Sequence, residues 1–461
     1  MQQLLAIAWL TWKAAFRYRL FLVIAVLLLG SVVGLPLLLK DDGTARGFTQ
    51  ILITYTLGTI SALLGLSTLW LACGTLARDI EECQMQVVAV KPIARWQIWL
   101  GKWLGLISLN AALLTLSGLG VFGLLEWRAT RLPPEQQKVL RTEVLVARGS
   151  VKQANRDKEI DEATDRLLRE RLKKNPVDRV DLAEVRKQIR EQVKAEFQVV
   201  PPGYYRPWTL DLGLASRSLR DQPLQLRVKF NAAEKSRSGT FDGVWGIGVP
   251  RKTQTWKSDV MSLSPDTYHE FQIPPNLFDE KGVLTINFYN PNDTALLFPI
   301  EDGFEVLYRE GGFGLNFARG LAIIFCWMSL LAALGLASAS FLSFPVAAFF
   351  SLGLLTMVLA SGTMANAVSE GTIASYNAEK GTKGFTPADV IIIPTFKAVL
   401  AVINLAKEFS PIDSLSTGRS ITWGHLAQAF GQIVIVLGGL FALFGIFVFT
   451  RRELATAQGT Q

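Results

Sequence analysis

Residues Gly320–Ser369 read GLAIIFCWMSLLAALGLASASFLSFPVAAFFSLGLLTMVLASGTMANAVS, fifty residues without a charged side chain. One continuous helix of that length would extend about 75 Å at 1.5 Å per residue, against a hydrocarbon core of about 30 Å. The segment must therefore fold back on itself. Ser343-Phe344-Pro345 is the natural break, because proline disfavours helical geometry in the residue before it. Working outward, Leu20–Leu39, Phe48–Ala77, Trp103–Leu125 and Leu426–Thr450 are also uncharged, and each is long enough for one crossing. The reading is a polytopic α-helical membrane protein with six transmembrane helices.

The charges confirm that two materials are joined. Of 461 residues, 19% are charged, but residues 127–316 hold 30 of the Lys/Arg and 27 of the Asp/Glu side chains. That middle stretch has the charge density of a soluble domain, and the rest does not. The net charge of +8 is divided between both parts, so it describes no nucleic-acid surface. Cys73, Cys83 and Cys326 all lie outside the insert, which therefore has no disulfides. His269 and His425 are the only histidines, and with no Cys/His cluster no metal site is expected. No catalytic residues are expected either. There is no G-x-S-x-G elbow and no phosphate-cradling G-x-x-x-x-G-K-[ST] loop, so this chain should not hydrolyse ATP.

Short basic segments orient the spans. Residues 1–19 and 78–102 and the tail at Arg451-Arg452 are basic and fall on one side if six spans alternate. That side is expected to be cytoplasmic, with both termini inside and the insert outside, periplasmic if the membrane is a bacterial inner membrane. The expected organisation is residues 1–126 as an interfacial N-terminal helix and spans one to three. Residues 127–200 follow as a charged helical region, 201–315 as a β-sandwich, and 316–461 as spans four to six with an outer loop at 370–424. In the N-terminal segment Leu4, Leu5, Trp12 and Phe16 share one helical side, which suits a helix lying on the membrane; a plain extension of span one is the alternative. Gly335, Ala337 and Ala339, or Gly118, Gly120 and Gly123, would permit close helix packing. Thr395–Phe409 reads as an amphipathic helix at the outer interface, too interrupted for a seventh span.

The insert is α+β. Leu182, Val185, Ile189, Val193 and Phe197 make a narrow apolar stripe on a charged helix, and Asn175-Pro176 suggests a helical hairpin. Such a hairpin could contact another subunit or lie on its own neighbouring domain. From Pro201 the period changes to two. Leu224, Leu226, Val228 and Phe230 alternate with polar residues, as do Leu284, Ile286 and Phe288, giving seven or eight short strands and a sandwich, jelly-roll-like in one form. Trp208, Trp245, Trp256 and Tyr268 could stack on a glycan or simply fill the core.

The segment with most to say about function is Arg78–Lys102, RDIEECQMQVVAVKPIARWQIWLGK. Acidic Asp79, Glu81 and Glu82 open it, Lys91-Pro92 breaks it, and Arg95 and Lys102 lead into span three, where membrane-surface anchoring is the plain role for both. A short helix held at the cytoplasmic face would suit docking of a partner. Here the chain resembles the permease subunits of ABC-2 type ATP-binding-cassette transporters. The resemblance is carried by Arg78-Asp79-Ile80-Glu81, Val87-Val88-Ala89-Val90, Pro92-Ile93-Ala94-Arg95 and Gly101-Lys102. Ile421-Thr422-Trp423 before the last span and Phe449–Leu454 at its end add to it. It covers the spans and their connections, roughly 270 residues, and excludes the insert. Cys83-Gln84 stands where the family usually has Gly-Thr.

The resemblance implies a coupling helix that docks on a separate ATPase subunit, with Glu81, Glu82, Pro92 and Arg95 as the coupling positions. It implies export more than import, ATP bound only in the partner, and a second permease copy or paralogue beside this one. An extracytoplasmic accessory protein or a glycan would be a further partner, and nucleic acid would not. The competing reading is a membrane-anchored scaffold whose outer sandwich binds a glycan or protein without transport.

Overall fold

A computed structural model describes residues 2–17, 20–38, 44–82, 93–154, 156–174, 182–234, 236, 238–300, 302–370, 373, 388–407 and 409–452. In chain order its main helices are α1 (Gln2–Arg17), α2 (Leu20–Leu38), α3 (Ala45–Glu81), α4 (Arg95–Ala129), α5 (Asp157–Lys174) and α6 (Leu182–Glu196). They continue as α7 (Phe313–Ala339), α8 (Phe344–Leu359), α9 (Ser361–Glu370), α10 (Asp389–Lys407), α11 (Pro411–Ser416) and α12 (Trp423–Arg451), the last with a π-helical stretch over Phe430–Gly438. The chain divides into two units, residues 1–147 with 311–461, and residues 148–310.

The first unit is helical. Helices α3, α4, α7, α10 and α12 are long and apolar enough to cross a membrane, and a sixth span results if α8 and α9, bent by 55°, are taken as one. This differs from the reading of uncharged runs in two places. The apolar part of α2 is short, Val23–Pro36. And the helix expected over Thr395–Phe409 starts earlier, at Asp389, with Pro394 inside it, so that Val390–Ile393 lengthen its apolar run to that of a candidate span. The proline does not end the helix because it costs only one backbone bond near the helix start.

Helix α7 is the centre of this bundle. Gly335 lets it meet α3 closely: a Cβ there would lie 2.6 Å from the Cβ of Ala72. Gly445 of α12 plays the same part opposite Ala337, and Gly118 of α4 opposite Leu321. Gly123 faces nothing within 4 Å, so its place beside Gly118 and Gly120 is ordinary composition. Helix α1 runs along α4. A Cβ on Gly101 would meet Ile7, one on Gly105 would meet Thr11, and Trp12 Nε1 donates to Ser108 Oγ at 2.8 Å. Contacts that advance together over about two turns make the two helices nearly parallel. A helix lying flat on a membrane crossed by α4 would touch it at one point instead. This packing suits the alternative, a plain extension of span one, better than the interfacial helix.

The second unit combines the expected hairpin with a sandwich. Helices α5 and α6 pack through Ile160, Leu168, Ile189 and Val193, and Ile300 closes the cluster from the β part, so the hairpin lies on its own neighbouring domain. Arg186–Asp165 and Arg190–Asp161 pairs line the exposed side, where such pairs add little stability. The strands are β1 (Val146–Lys152), β2 (Val199–Val200), β3 (Tyr205–Asp211), β4 (Leu224–Val228), β5 (Asn231–Ala232) and β6 (Phe241–Ile247). They continue as β7 (Trp256–Lys257), β8 (Met261–Leu263), β9 (His269–Ile273), β10 (Val283–Tyr289), β11 (Leu296–Leu297) and β12 (Phe304–Gly312).

One sheet has the order β1-β12-β4-β9, and a second β3-β10-β6-β7, with β8 added to β6; β2-β11-β5 form a small third sheet. Leu226 and Val306 of the first sheet share a core with Trp208, Trp245 and Ile286 of the second. Strand β1 is a correction, since residues 146–152 fall in the stretch read as helical: Val146 and Ala147 are buried, and Gly149 lies against the ring of Tyr308. Trp208 and Trp245 are core residues, 3% and 0% exposed, and Trp256 packs against the same core, so they form no glycan platform. Tyr268 instead lies over the Arg227 guanidinium and donates to Asp302.

Candidate coupling site at the helix ends

Two ends of the helical bundle can be told apart by which residues meet there. At the first, α3 finishes and α4 starts, so the 83–92 segment that joins them begins and ends there. At the far end Ala45, Ala129, Leu140 and Val144 cluster. There Asn316, near the start of α7, also binds Ile421 N–H at 2.7 Å and the Arg419 carbonyl at 2.8 Å. Arg319 donates to the Ile421 carbonyl and covers the Trp423 ring. Helices α3, α7 and α12 thus run from the far end to the first, and α4 runs the opposite way.

At the first end, acidic Asp79 and Glu81 occupy the last turn of α3 rather than the start of a new helix. The helix dipole disfavours negative charge there. Each acid is matched from elsewhere. Glu81 Oε1 accepts the Phe344 N–H at 2.8 Å, capping the first turn of α8, where Ser343 offers no side-chain cap and Pro345 has no N–H. A carboxylate at a helix N-terminus is favoured by both the orphan amides and the dipole. Asp79 Oδ2 accepts from Lys102 Nζ at 2.5 Å, and the same ammonium reaches the Thr75 carbonyl at 2.7 Å. Lys102 is 7% exposed, so it is an internal tie between α3 and α4 and no surface anchor.

Arg95 mirrors this arrangement. It stands in the first turn of α4, the wrong end for a cation. Its Nη1 donates instead to the carbonyls of Phe449, Thr450 and Arg452, at 3.0, 2.8 and 2.7 Å, where α12 has run out of its own donors. Arg452 in turn donates to the Ser340 carbonyl at the end of α7. Arg78 lies over the Phe344 ring at 4.3 Å, and Trp70 meets that ring edge-on. Beside this ring of ties Trp99 is fully buried against Gly445.

Of the four positions singled out from sequence, Glu81 and Arg95 therefore bracket the connecting segment and bind the ends of two different helices. Glu82 is exposed and closes α3, its N–H bonding the Arg78 carbonyl at 2.8 Å. Pro92 lies outside the described residues. The sequence reading missed the Lys102–Asp79 pair and Arg452; the charge reversal at the end of α3 and start of α4 was the available signal. No group of His, Cys, Asp and Glu suited to a metal occurs among the described residues. Comparison with known proteins returns no match: no family model fits the sequence, and no curated protein or solved structure is similar to the chain.

Proposed function

We propose that this chain is the membrane-spanning permease subunit of an ATP-binding-cassette transporter, an exporter, driven by a separate ATPase that docks on the 78–102 segment. One observation carries the reading. The residues bracketing this segment, Glu81 and Arg95, are electrostatically mismatched to their own helices and matched to the ends of α8 and α12. A displacement of the docked segment would therefore be passed to both helices at once. Packed helices with two arrangements can convert such a push into access on one side or the other. In this reading the subunit sits in the cytoplasmic membrane, with both termini inside, the sandwich outside, and a second permease copy completing the path.

Chain parity supports six crossings. Ser340 is at the docking end, while Leu415 packs on Gly320 near the far end. The chain between them makes one net crossing, although α8 with α9 and α10 offer two apolar segments, so in this reading only one of the two crosses fully. With α2 as the first span the total is six.

Co-purification of the full chain with an ATP-binding-cassette ATPase encoded beside its gene tests the proposal. A stoichiometric complex whose ATP hydrolysis falls on Pro92→Ala or Glu81→Ala substitution is the expected result. Absence of a complex, or hydrolysis indifferent to both substitutions, sinks the transporter reading in favour of the scaffold.

A further inference from the structure

The two outer faces of the sandwich differ. On the β1-β12-β4-β9 sheet, Glu305, Arg227 and Glu270 stand in one cross-strand row, Glu305↔Arg227↔Glu270. Arg227 donates to Glu305 at 3.0 Å and Arg148 to Glu270 at 3.0 Å. Glu305 is 3% exposed, and this face is closed by its own ions. The outer face of the β3-β10-β6 sheet is open. Registers place Tyr205 beside Tyr289 and Val244, Pro207 beside Asn287 and Gly246, and Thr209 beside Thr285. None of these carries a charge, and Lys257 of β7 continues the Asn287–Gly246 row at the sheet edge.

Two features make this face more than a solvated sheet surface. Tyr205 and Tyr289 are stacked, with ring centroids 4.5 Å apart, yet Tyr205 remains 69% exposed, so one of its ring faces is free. The neighbouring Tyr204 is also exposed, and its backbone is fixed from below. Buried Asn290 donates its amide to the Val200, Pro201 and Thr294 carbonyls, while its own N–H bonds the Tyr204 carbonyl. The backbone that presents the tyrosines is thus fixed before any ligand arrives, which lowers the ordering cost of binding. Second, a Cβ at Gly246 would meet only Asn287 Cβ, at 3.9 Å. Packing does not require a glycine there, and its effect is a flat floor between the aromatic row and the threonines.

We propose that this face binds a neutral glycan. Sugar rings present C–H faces that stack on tyrosine and hydroxyls that pair with Asn287, Thr209 and Thr285. The charges on this face, Lys257 beside Gly246, Asp211 beside Val283 and Asp242 on β6, are single and of both signs, so a charged ligand finds no cluster of counter-ions. An apolar peptide or lipid would strip water from the amide and hydroxyls without replacing their hydrogen bonds, which is unfavourable. The inference does not depend on transport.

The test uses the full chain in nanodiscs made without glycoside detergent, titrated calorimetrically with neutral cello-, malto- and mannohexaose and with an oligogalacturonate. At least one neutral hexasaccharide should bind more tightly than ~1 mM. Tyr205→Ala and Tyr289→Ala should each weaken it about tenfold, equivalent to ~1.4 kcal/mol. Tyr205→Phe keeps the stacking ring and should bind nearly as the parent does. Thermal unfolding checks that each variant is folded. No binding by any neutral sugar, preference for the oligogalacturonate, or binding that survives Tyr205→Ala in a folded protein overturns the proposal.

Discussion

Removing the Arg95 side chain separates the start of α4 from the end of α12 without touching the core. Three carbonyls are contacted by one Nη1, which carries two hydrogens, so the contacts amount to two bonds with one of them shared. A hydrogen bond from a charged donor contributes about 1.5–3 kcal/mol when buried. Arg95 is half-exposed and water competes for the same carbonyls, so a total of about 2 kcal/mol for Arg95→Ala is the appropriate scale. At 1.4 kcal/mol per decade this is roughly a 30-fold increase in local opening of the last turn of α12. Hydrogen exchange by mass spectrometry, on the full chain in nanodiscs, reads it directly. The reporting amide is Arg452, whose N–H bonds the Val448 carbonyl at 3.0 Å. Arg95→Lys keeps the charge on a single amine and should fall between. Trp96→Ala, at an exposed neighbouring position, should change nothing there. If exchange over residues 446–452 is the same in Arg95→Ala as in the parent, the tie has no energetic content and the transmission argument fails.

Two other outcomes follow from particular contacts. In Gly101→Val the first added carbon would sit 2.7 Å from Ile7 Cβ and 3.2 Å from the Leu4 carbonyl, so α1 should be displaced at a cost of about 1–3 kcal/mol. Protease sensitivity of residues 2–17 should rise, and Gly123→Val, with nothing within 4 Å, should leave it unchanged. Asp279, in the sandwich unit, accepts the Val283 and Lys281 N–H groups at 2.9 and 3.0 Å, and these bonds, that of Val283 foremost, hold its carboxyl below the usual range. Its stabilising effect is therefore complete above the unfolded value, about 3.9, and is lost as pH falls through the lower folded value. Asp279→Asn should lower the unfolding temperature of the full chain at neutral pH, and the two should converge in acid. A gap independent of pH would show that the charge plays no part.

The elements were largely legible in the sequence, and their partners were not. Fifty uncharged residues from Gly320 must contain two helices, because a charge in hydrocarbon is expensive and a 75 Å helix has no place to go. Alternation at Leu224–Val228 and Leu284–Phe288 likewise declares strands with one buried face. Such patterns report what each residue meets on average, water or apolar matter. They say nothing of which polar group meets which. Trp208 and Trp245 had the composition of a binding platform and proved to be core. Tyr205 and Tyr289 became a pair only when β3 was laid against β10. Glu81 and Phe344, or Arg95 and Phe449, are hundreds of residues apart, and no spacing rule connects them. Charge, length and period are local properties, so the chain alone determined its helices, its strands and the insert. Hydrogen bonds are short-ranged and directional, so only the packed bundle decided that an acid ending α3 would cap α8 and a base starting α4 would cap α12.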